Sequence, residues 1–115
     1  MKEVLFETSL DLPLIHRGKV RDIYAVGEHH MLIVTSDRLS AFDVIFPDPL
    51  LGQGAVLREV SNFWFRQTSK IIPNHLSDIP LAEVLPDASQ RAEVEGRAIV
   101  VKKLKALPVE AIVRG

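Results

Sequence analysis

The chain has 115 residues, 47% of them hydrophobic, and this size and composition indicate one globular domain with a modest core. Its 14 basic and 15 acidic residues nearly cancel, so net charge gives no reason to expect nucleic acid or a membrane as a partner. Any anion site must therefore be local. The chain has no cysteine and no signal-peptide pattern at its N-terminus, which favours a soluble cytoplasmic protein.

Three cations alternate around a glycine near the start of the chain. Arg17, Lys19 and Arg21 are separated by Gly18 and Val20. If this stretch is extended, side chains two residues apart share one face of a strand, and the glycine lets a ligand approach the backbone closely. The pattern indicates a surface that binds phosphate. The alternative is an exposed edge strand whose cations discourage aggregation.

Short runs rich in β-branched residues follow. Residues 20–26 and 31–35 are predicted strands, and the polar residues 27–30 between them predict a hairpin turn. Residues 44–46 predict a third short strand, which Pro47 stops because proline cannot donate to a sheet ladder.

The most regular pattern in the chain comes after a predicted flexible turn at residues 52–54. Apolar residues then recur at spacings of three, four and seven, which predicts an α-helix that ends near Pro73 and packs this stripe in the core. The stripe consists of Val56, Leu57, Val60, Phe63, Trp64 and Ile71.

Prolines at positions 73, 80 and 86 divide the next section into turns with a single helical turn between them. Residues 97–104 and 109–114 are again strand-like, and we expect them to form a hairpin-like pair. The resulting fold class is α+β, a small antiparallel sheet with one main helix on a face. Because the chain ends on a strand and Gly115, we expect it to be one lobe of a longer protein.

A polar segment follows the second predicted strand. Five of its side chains can form strong hydrogen bonds or ionise, and they lie in a loop between apolar strands, where binding residues are common. They are Ser36, Asp37, Arg38, Ser40 and Asp43. A polyhydroxylated or charged small molecule suits this segment. The alternative is that Ser36 or Asp37 caps a helical turn while Arg38 pairs with Asp43, and the two interpretations are compatible.

Three lysines lie on or beside the strand that begins near Ile99. Alternation puts Lys102 on the opposite face from Lys103 and Lys105, so one lysine is predicted to face inward as a cation for a phosphate. The alternative is three solvated surface lysines. The four histidines lack metal-ligand spacing, so the sequence predicts no metal site.

Six segments taken in order resemble the SAICAR synthetase (phosphoribosylaminoimidazole-succinocarboxamide synthase) family of purine biosynthesis. They are HRGKVRDIY (16–24), TSDRLSAFD (35–43), GQG (52–54), SNFWF (61–65), PNH (73–75) and VVKKLKALPVEAIVRG (100–115). The resemblance implies a ligase that joins carboxyaminoimidazole ribonucleotide to L-aspartate while ATP is cleaved to ADP and phosphate with magnesium. It also implies that residues 1–115 are an N-terminal ATP-binding lobe, similar to those of kinases and ATP-grasp enzymes, and that the C-terminal lobe is absent.

The resemblance also assigns roles to individual residues. A hairpin with Lys19 as its catalytic cation would cover the ATP phosphates. The implied ATP contacts are Arg17, Gly18, Lys19, Arg21, Lys102, Lys103, Glu110, Ile112 and Val113. The implied ribonucleotide contacts are Ser36, Asp37, Arg38, Ser40, Asp43 and Arg114. Gln53 departs from the family, which usually has lysine there, and receives no charge-dependent role.

The resemblance places the magnesium ligands and most of the aspartate pocket in the absent lobe. We therefore expect the chain alone to be inactive as a ligase and to self-associate through a partly apolar interlobe face. Two other interpretations stay open: a stand-alone nucleotide- or anion-binding module without catalysis, and part of a kinase that acts on a small phosphorylated metabolite.

Overall fold

The computed structural model describes residues 5–41, 44–109 and 111–112. Along these ranges five strands are followed by three helices and a sixth strand, an α+β arrangement that confirms the predicted fold class. The elements are β1 (Leu14–Arg17), β2 (Arg21–Val26), β3 (His30–Thr35), β4 (Ser40–Ala41), β5 (Val44–Ile45), α1 (Gln53–Gln67), α2 (Leu81–Val84), α3 (Ala88–Val94) and β6 (Ala98–Lys102).

The main sheet is antiparallel and has the strand order β1-β2-β3-β6. The predicted hairpin between the two β-branched runs is confirmed, since β2 pairs with β3 in a register that sets Arg21 opposite Thr35 and Val26 opposite His30. Gly27 in the turn has a φ of 63°, a left-handed conformation that glycine adopts without a steric penalty. A second, two-stranded sheet is formed by β4 and β5.

The predicted hairpin between residues 97–104 and 109–114 is wrong. β6 instead pairs with β3, which is an inner strand of the sheet. The described residues after Lys102 form no strand. The physical reason is burial: Val100 and Val101 become buried by pairing with a central strand, whereas Leu107 and Val109, on either side of Pro108, stay exposed.

The core lies on one face of the main sheet. The side chains on that face come from β2, β3 and β6, whose alternate residues point to the same side: Tyr24, Leu32, Val34 and Val100. Leu5, Leu10, Leu85 and Val94 cover them. The last of these belongs to α3, whose N-terminus is capped by the Asp87 side chain accepting a hydrogen bond from Ser89 N at 2.8 Å. At seven residues, α3 is longer than the single predicted turn.

Helix α1 begins and ends earlier than the apolar pattern predicts. Gly52, with a φ of 85°, precedes the helix, and Gly54 lies in its first turn, so residues 52–54 are not a flexible turn. A Cβ on Gly54 would lie 2.2 Å from the carbonyl oxygen of Thr35 and 2.5 Å from that of Ser36. The absence of a side chain therefore lets α1 touch the end of β3.

The predicted packing of the α1 stripe in the core is wrong. Val60 is 50% exposed and Trp64 is 59% exposed, and Ile71 lies beyond the end of the helix. The opposite face of α1 is the more buried one, although it is mostly polar: Gly54, Arg58, Ser61, Asn62 and Phe65. Periodicity identifies a stripe but does not say what covers it. In the described part of the chain, no helix has both the length and the apolar character needed to cross a membrane.

Candidate functional site

The turn that joins β1 to β2 contains the glycine and lysine of the predicted phosphate surface. Gly18 N donates to the carbonyl oxygen of Arg21 at 2.7 Å, which closes the turn. Arg17 is the Cα partner of Asp22, so Arg17 and Arg21 lie on opposite faces of the sheet. The prediction that all three cations share one face is therefore wrong, because residues 17–21 cross a hairpin turn instead of running as one strand.

Arg38 holds the backbone of this turn in place. Its Nε donates to the carbonyl oxygen of Lys19 at 3.0 Å, and its Nη2 donates to that of Gly18 at 3.1 Å. Nη1 donates to the carbonyl oxygen of Phe6 at 2.7 Å. The Arg38 side chain is buried, whereas the Lys19 side chain is exposed. The buried Arg38 thus fixes the backbone of the turn, while the Lys19 side chain is exposed.

Asp22 is the charge that compensates Arg38. Its buried carboxylate accepts from Arg38 Nη2 at 2.8 Å, from Arg17 Nε at 3.1 Å, and from Thr8 N and Oγ at 2.9 Å each. Burial alone would raise the pKa of Asp22, but the hydrogen bonds from Arg38 and Thr8 outweigh it and hold that pKa below its ordinary value of 3.8. Asp22 therefore stays ionised at neutral pH with its oxygens already engaged.

Ser36 and Asp37 connect the polar segment to its surroundings in the same way. Ser36 Oγ donates to the carbonyl oxygen of Val20 at 2.6 Å, which adds another bond to the β1–β2 turn. Asp37 Oδ1 accepts from Arg97 Nη1 at 2.9 Å and from Gly54 N at 2.8 Å, so it joins the start of α1 to a buried arginine. Burial opposes ionisation of Asp37, but these partners lower its pKa on balance.

The side chains of Ser36, Asp37 and Arg38 are all engaged within the chain. Arg38 pairs with Asp22, and the alternative partner Asp43 lies outside the described residues. Direct contact of these three side chains with a ribonucleotide stays a prediction; what the geometry gives them is a positioning role. Ser40, in β4, is partly exposed and remains a candidate contact.

The lysines at the end of β6 do not point inward. Lys102 N donates to His75 O at 2.7 Å and Lys103 N to His29 O at 2.8 Å, but both side chains are exposed. The prediction of an inward-facing lysine is wrong because β6 ends at Lys102. Ile112 is exposed and outside any strand. The predicted contacts Glu110, Val113 and Arg114 lie outside the described residues.

Comparison with known proteins decides the family. The model of the family described as SAICAR synthetase matches residues 14–115. The chain belongs to the SAICAR synthetase family. Phosphoribosylaminoimidazole-succinocarboxamide synthases from Thioalkalivibrio sulfidiphilus and Methylococcus capsulatus are 61% and 63% identical to it over 100% and 98% of its length. The chain spans 39% and 38% of these two relatives' own lengths.

Solved SAICAR synthases share this fold. The enzyme from Saccharomyces cerevisiae, in complex with SAICAR, superposes with a TM-score of 0.80 at 38% identity. The match covers 86% of this chain and 36% of the yeast chain. A second SAICAR synthase structure gives a TM-score of 0.83 at 38% identity over 90% of this chain and 38% of that one. The α+β fold described above is thus shared with these SAICAR synthases.

Three residues important to the site in this SAICAR synthetase family member were not predicted from its sequence. Asp22 and Tyr24 are two residues apart on β2 and share its core face. A carboxylate at a position where the strand pattern calls for an apolar residue was the available signal for a buried ion pair. Arg97 lies just before β6, and no local pattern links it to Asp37, which is 60 residues away along the chain. Arg58, buried on the inner side of α1, was hidden by the stronger apolar stripe.

Proposed function

We propose that the chain is the N-terminal ATP-binding lobe of an ATP-dependent ligase that joins carboxyaminoimidazole ribonucleotide and L-aspartate to give SAICAR, ADP and phosphate. Beyond family membership, one observation carries this proposal. Arg38 belongs to the polar segment predicted for the ribonucleotide, yet it holds the Gly18–Lys19 turn predicted for ATP. The two segments are therefore adjacent, as a transfer between two bound substrates requires.

The chemistry has two steps. A carboxylate oxygen of the ribonucleotide attacks the γ-phosphorus of ATP, the bond to ADP breaks, and an acyl phosphate forms. The amine of aspartate then attacks the acyl carbon, loses a proton, and expels inorganic phosphate as the amide forms. Negative charge accumulates on the transferred phosphoryl group, and fixed cations and N–H donors stabilise it without reorganising. The exposed Lys19 side chain, on a turn held by Arg38, is our candidate for that cation.

Magnesium is part of the implied reaction, but the described residues do not fit it. Residues 5–41, 44–109 and 111–112 contain no group of three or more histidine or carboxylate side chains that could hold a metal. The buried carboxylates Asp22 and Asp37 are occupied by arginines and by N–H and hydroxyl donors. We therefore assign no metal ligand within the described chain and route no step through the ion.

The ligase would act in the cytoplasm, which is consistent with the absence of cysteine. Its partners would be the three small-molecule substrates. The exposed apolar stripe of α1 would favour self-association of the isolated chain, because apolar surface of this kind is normally covered.

Product analysis on the complete natural polypeptide that carries this sequence tests the proposal. Incubation with the ribonucleotide, aspartate, ATP and magnesium should yield SAICAR and ADP in equal amounts, and omission of any one substrate should abolish SAICAR. ATP binding without turnover would support the binding module instead. A phosphorylated metabolite formed without aspartate would support the kinase. The 115-residue chain alone should show no SAICAR formation.

A further inference from the structure

Arg58 is a buried cation that has no acidic partner among the described residues. It is 5% exposed on the inner face of α1, and its guanidinium donates to two neutral oxygens, Asn62 Oδ1 at 3.0 Å and Ser61 Oγ at 2.9 Å. By contrast, the buried Arg38 and Arg97 each contact an aspartate. Within the described ranges, no carboxylate lies at ion-pair distance from Arg58. A buried charge is costly unless an opposite charge compensates it.

A second cation, Arg21, lies next to the same helix. Arg21 is opposite Thr35 in the sheet register, and Gly54 of α1 packs against the Thr35 carbonyl. Arg58 follows Gly54 by one helical turn on the same face. Because Asp22 faces the core, Arg21 points to the other face of the sheet. The Arg21 charge acts on Arg58: burial, and after it the charge of Arg21, lowers the pKa of Arg58.

His75 completes the cluster. Its ring packs against Phe65, which lies seven residues after Arg58 on the inner face of α1, with ring centroids 5.1 Å apart. Its Nε2 is buried and has no hydrogen-bond partner in the described structure. Burial, followed by the charges of Arg58 and Arg21, lowers the pKa of His75, so its ring is neutral at pH 7. A neutral imidazole can still donate through Nε2.

We propose that Arg21, Arg58 and His75 form a binding site for a phosphate group between α1 and the face of the main sheet opposite the core. The site offers two guanidinium groups and one imidazole N–H, and such donors match the oxygens of a phosphate. A bound phosphate would supply the negative charge that Arg58 lacks. It would also give the orphaned Nε2 an acceptor.

The site shares Arg21 with the predicted ATP contacts, but it does not include Lys19, and its other two residues come from α1 and from the segment after it. The phosphate group itself is inferred from burial and charge alone. Its assignment to a phosphorylated substrate, either ATP or the ribonucleotide, rests on the proposed function. Both sources share the same chemistry, so the experiment must separate them.

Calorimetric titration of the complete natural polypeptide tests the site with three probes: inorganic phosphate, ribose 5-phosphate and ATP. Arg58→Gln should weaken the affinity for inorganic phosphate about 10- to 100-fold, since a hydrogen bond to a charged group is lost. The same loss for ribose 5-phosphate assigns the site to the ribonucleotide, and the same loss for ATP assigns it to the nucleotide. Arg66→Gln removes the same charge from the exposed side of α1 and should change each affinity by no more than about twofold.

A second variant separates binding from a structural role. Arg58→Met keeps the approximate volume but removes the uncompensated charge, so the melting temperature without phosphate should stay unchanged or rise. The rise in melting temperature that phosphate gives the parent protein should disappear in this variant. Unchanged affinity of Arg58→Gln for all three probes, or a phosphate-dependent rise that persists in Arg58→Met, would overturn the proposal. Neither readout requires aspartate or turnover, so failure of the ligase proposal would leave this test intact.

Discussion

Arg38 donates to Asp22 across 2.8 Å in a contact where both side chains are buried. The two residues are 16 positions apart along the chain, and the pair ties the polar segment to the first residues of β2. The same guanidinium holds the carbonyls of Gly18 and Lys19. The shape of the β1–β2 turn therefore depends on a residue that belongs to the other predicted substrate segment.

Replacement of Asp22 by asparagine should be strongly destabilising. The buried Arg38 would lose its counter-charge, and breaking a buried ion pair from one side typically costs about 3–5 kcal/mol in the free energy of unfolding. Urea denaturation of the chain measures this change, with Asp78→Asn as the exposed control that should stay within about 0.5 kcal/mol of the parent. Equal stability of the two variants would show that the pair contributes no net stability.

Stability should fall in acid because of two carboxylates. The pKa values of Asp22 and Asp37 are both lowered from 3.8 in the folded state. Below pH 3.8 the unfolded chain therefore binds protons that the folded chain excludes, and each group removes up to about 1.4 kcal/mol per pH unit until its folded pKa is reached. Above pH 3.8 the stabilisation from both carboxylates is fully present. Urea midpoints measured from pH 6 downward check this, and a flat profile below pH 3.8 would contradict it.

Gly54→Ala should destabilise the chain although alanine favours helices. The new Cβ would meet two backbone oxygens, those of Thr35 and Ser36, which cannot rotate away. Forced overpacking typically costs about 1–3 kcal/mol, which equals the gain of about 1 kcal/mol in helix propensity at its lower end and clearly outweighs it at its upper end. We expect that upper end, because the 2.2 Å approach involves backbone. Gln67→Ala, exposed in the same helix, is the control, and a Gly54→Ala variant as stable as that control would refute the contact.

The exposed stripe of α1 should drive self-association of the isolated chain. Val60→Lys should lower the apparent mass in light scattering at high protein concentration and leave the unfolding free energy within about 0.5 kcal/mol, because the side chain is already half exposed. A large loss of stability would instead mean that Val60 packs in the core. A strict monomer for the parent chain would also count against this expectation.

Local patterns in the sequence predicted the fold better than the site. The β2–β3 hairpin follows from two β-branched runs around Gly27, and the sequence alone suffices for it. The pairing of β6 with β3 and the Asp37–Arg97 contact join residues about 60 or more positions apart, which no periodicity encodes. The orientation of α1 failed for a related reason. An apolar stripe can face the core or a surface that another part of a protein covers, and the sequence pattern is the same.

Steady-state kinetics of two variants in the complete natural polypeptide test whether the β1–β2 turn acts on ATP and the polar segment on the ribonucleotide. Lys19→Ala should lower kcat by about 100-fold or more, because it removes a cation aimed at developing charge. Ser40→Ala should raise KM for the ribonucleotide about 10- to 100-fold and leave KM for ATP within about threefold. Lys70→Ala, an exposed lysine beyond α1, is the charge control. Unchanged kcat and ATP saturation in Lys19→Ala, or equal effects of Ser40→Ala on both substrates with lowered thermal stability, would contradict the account.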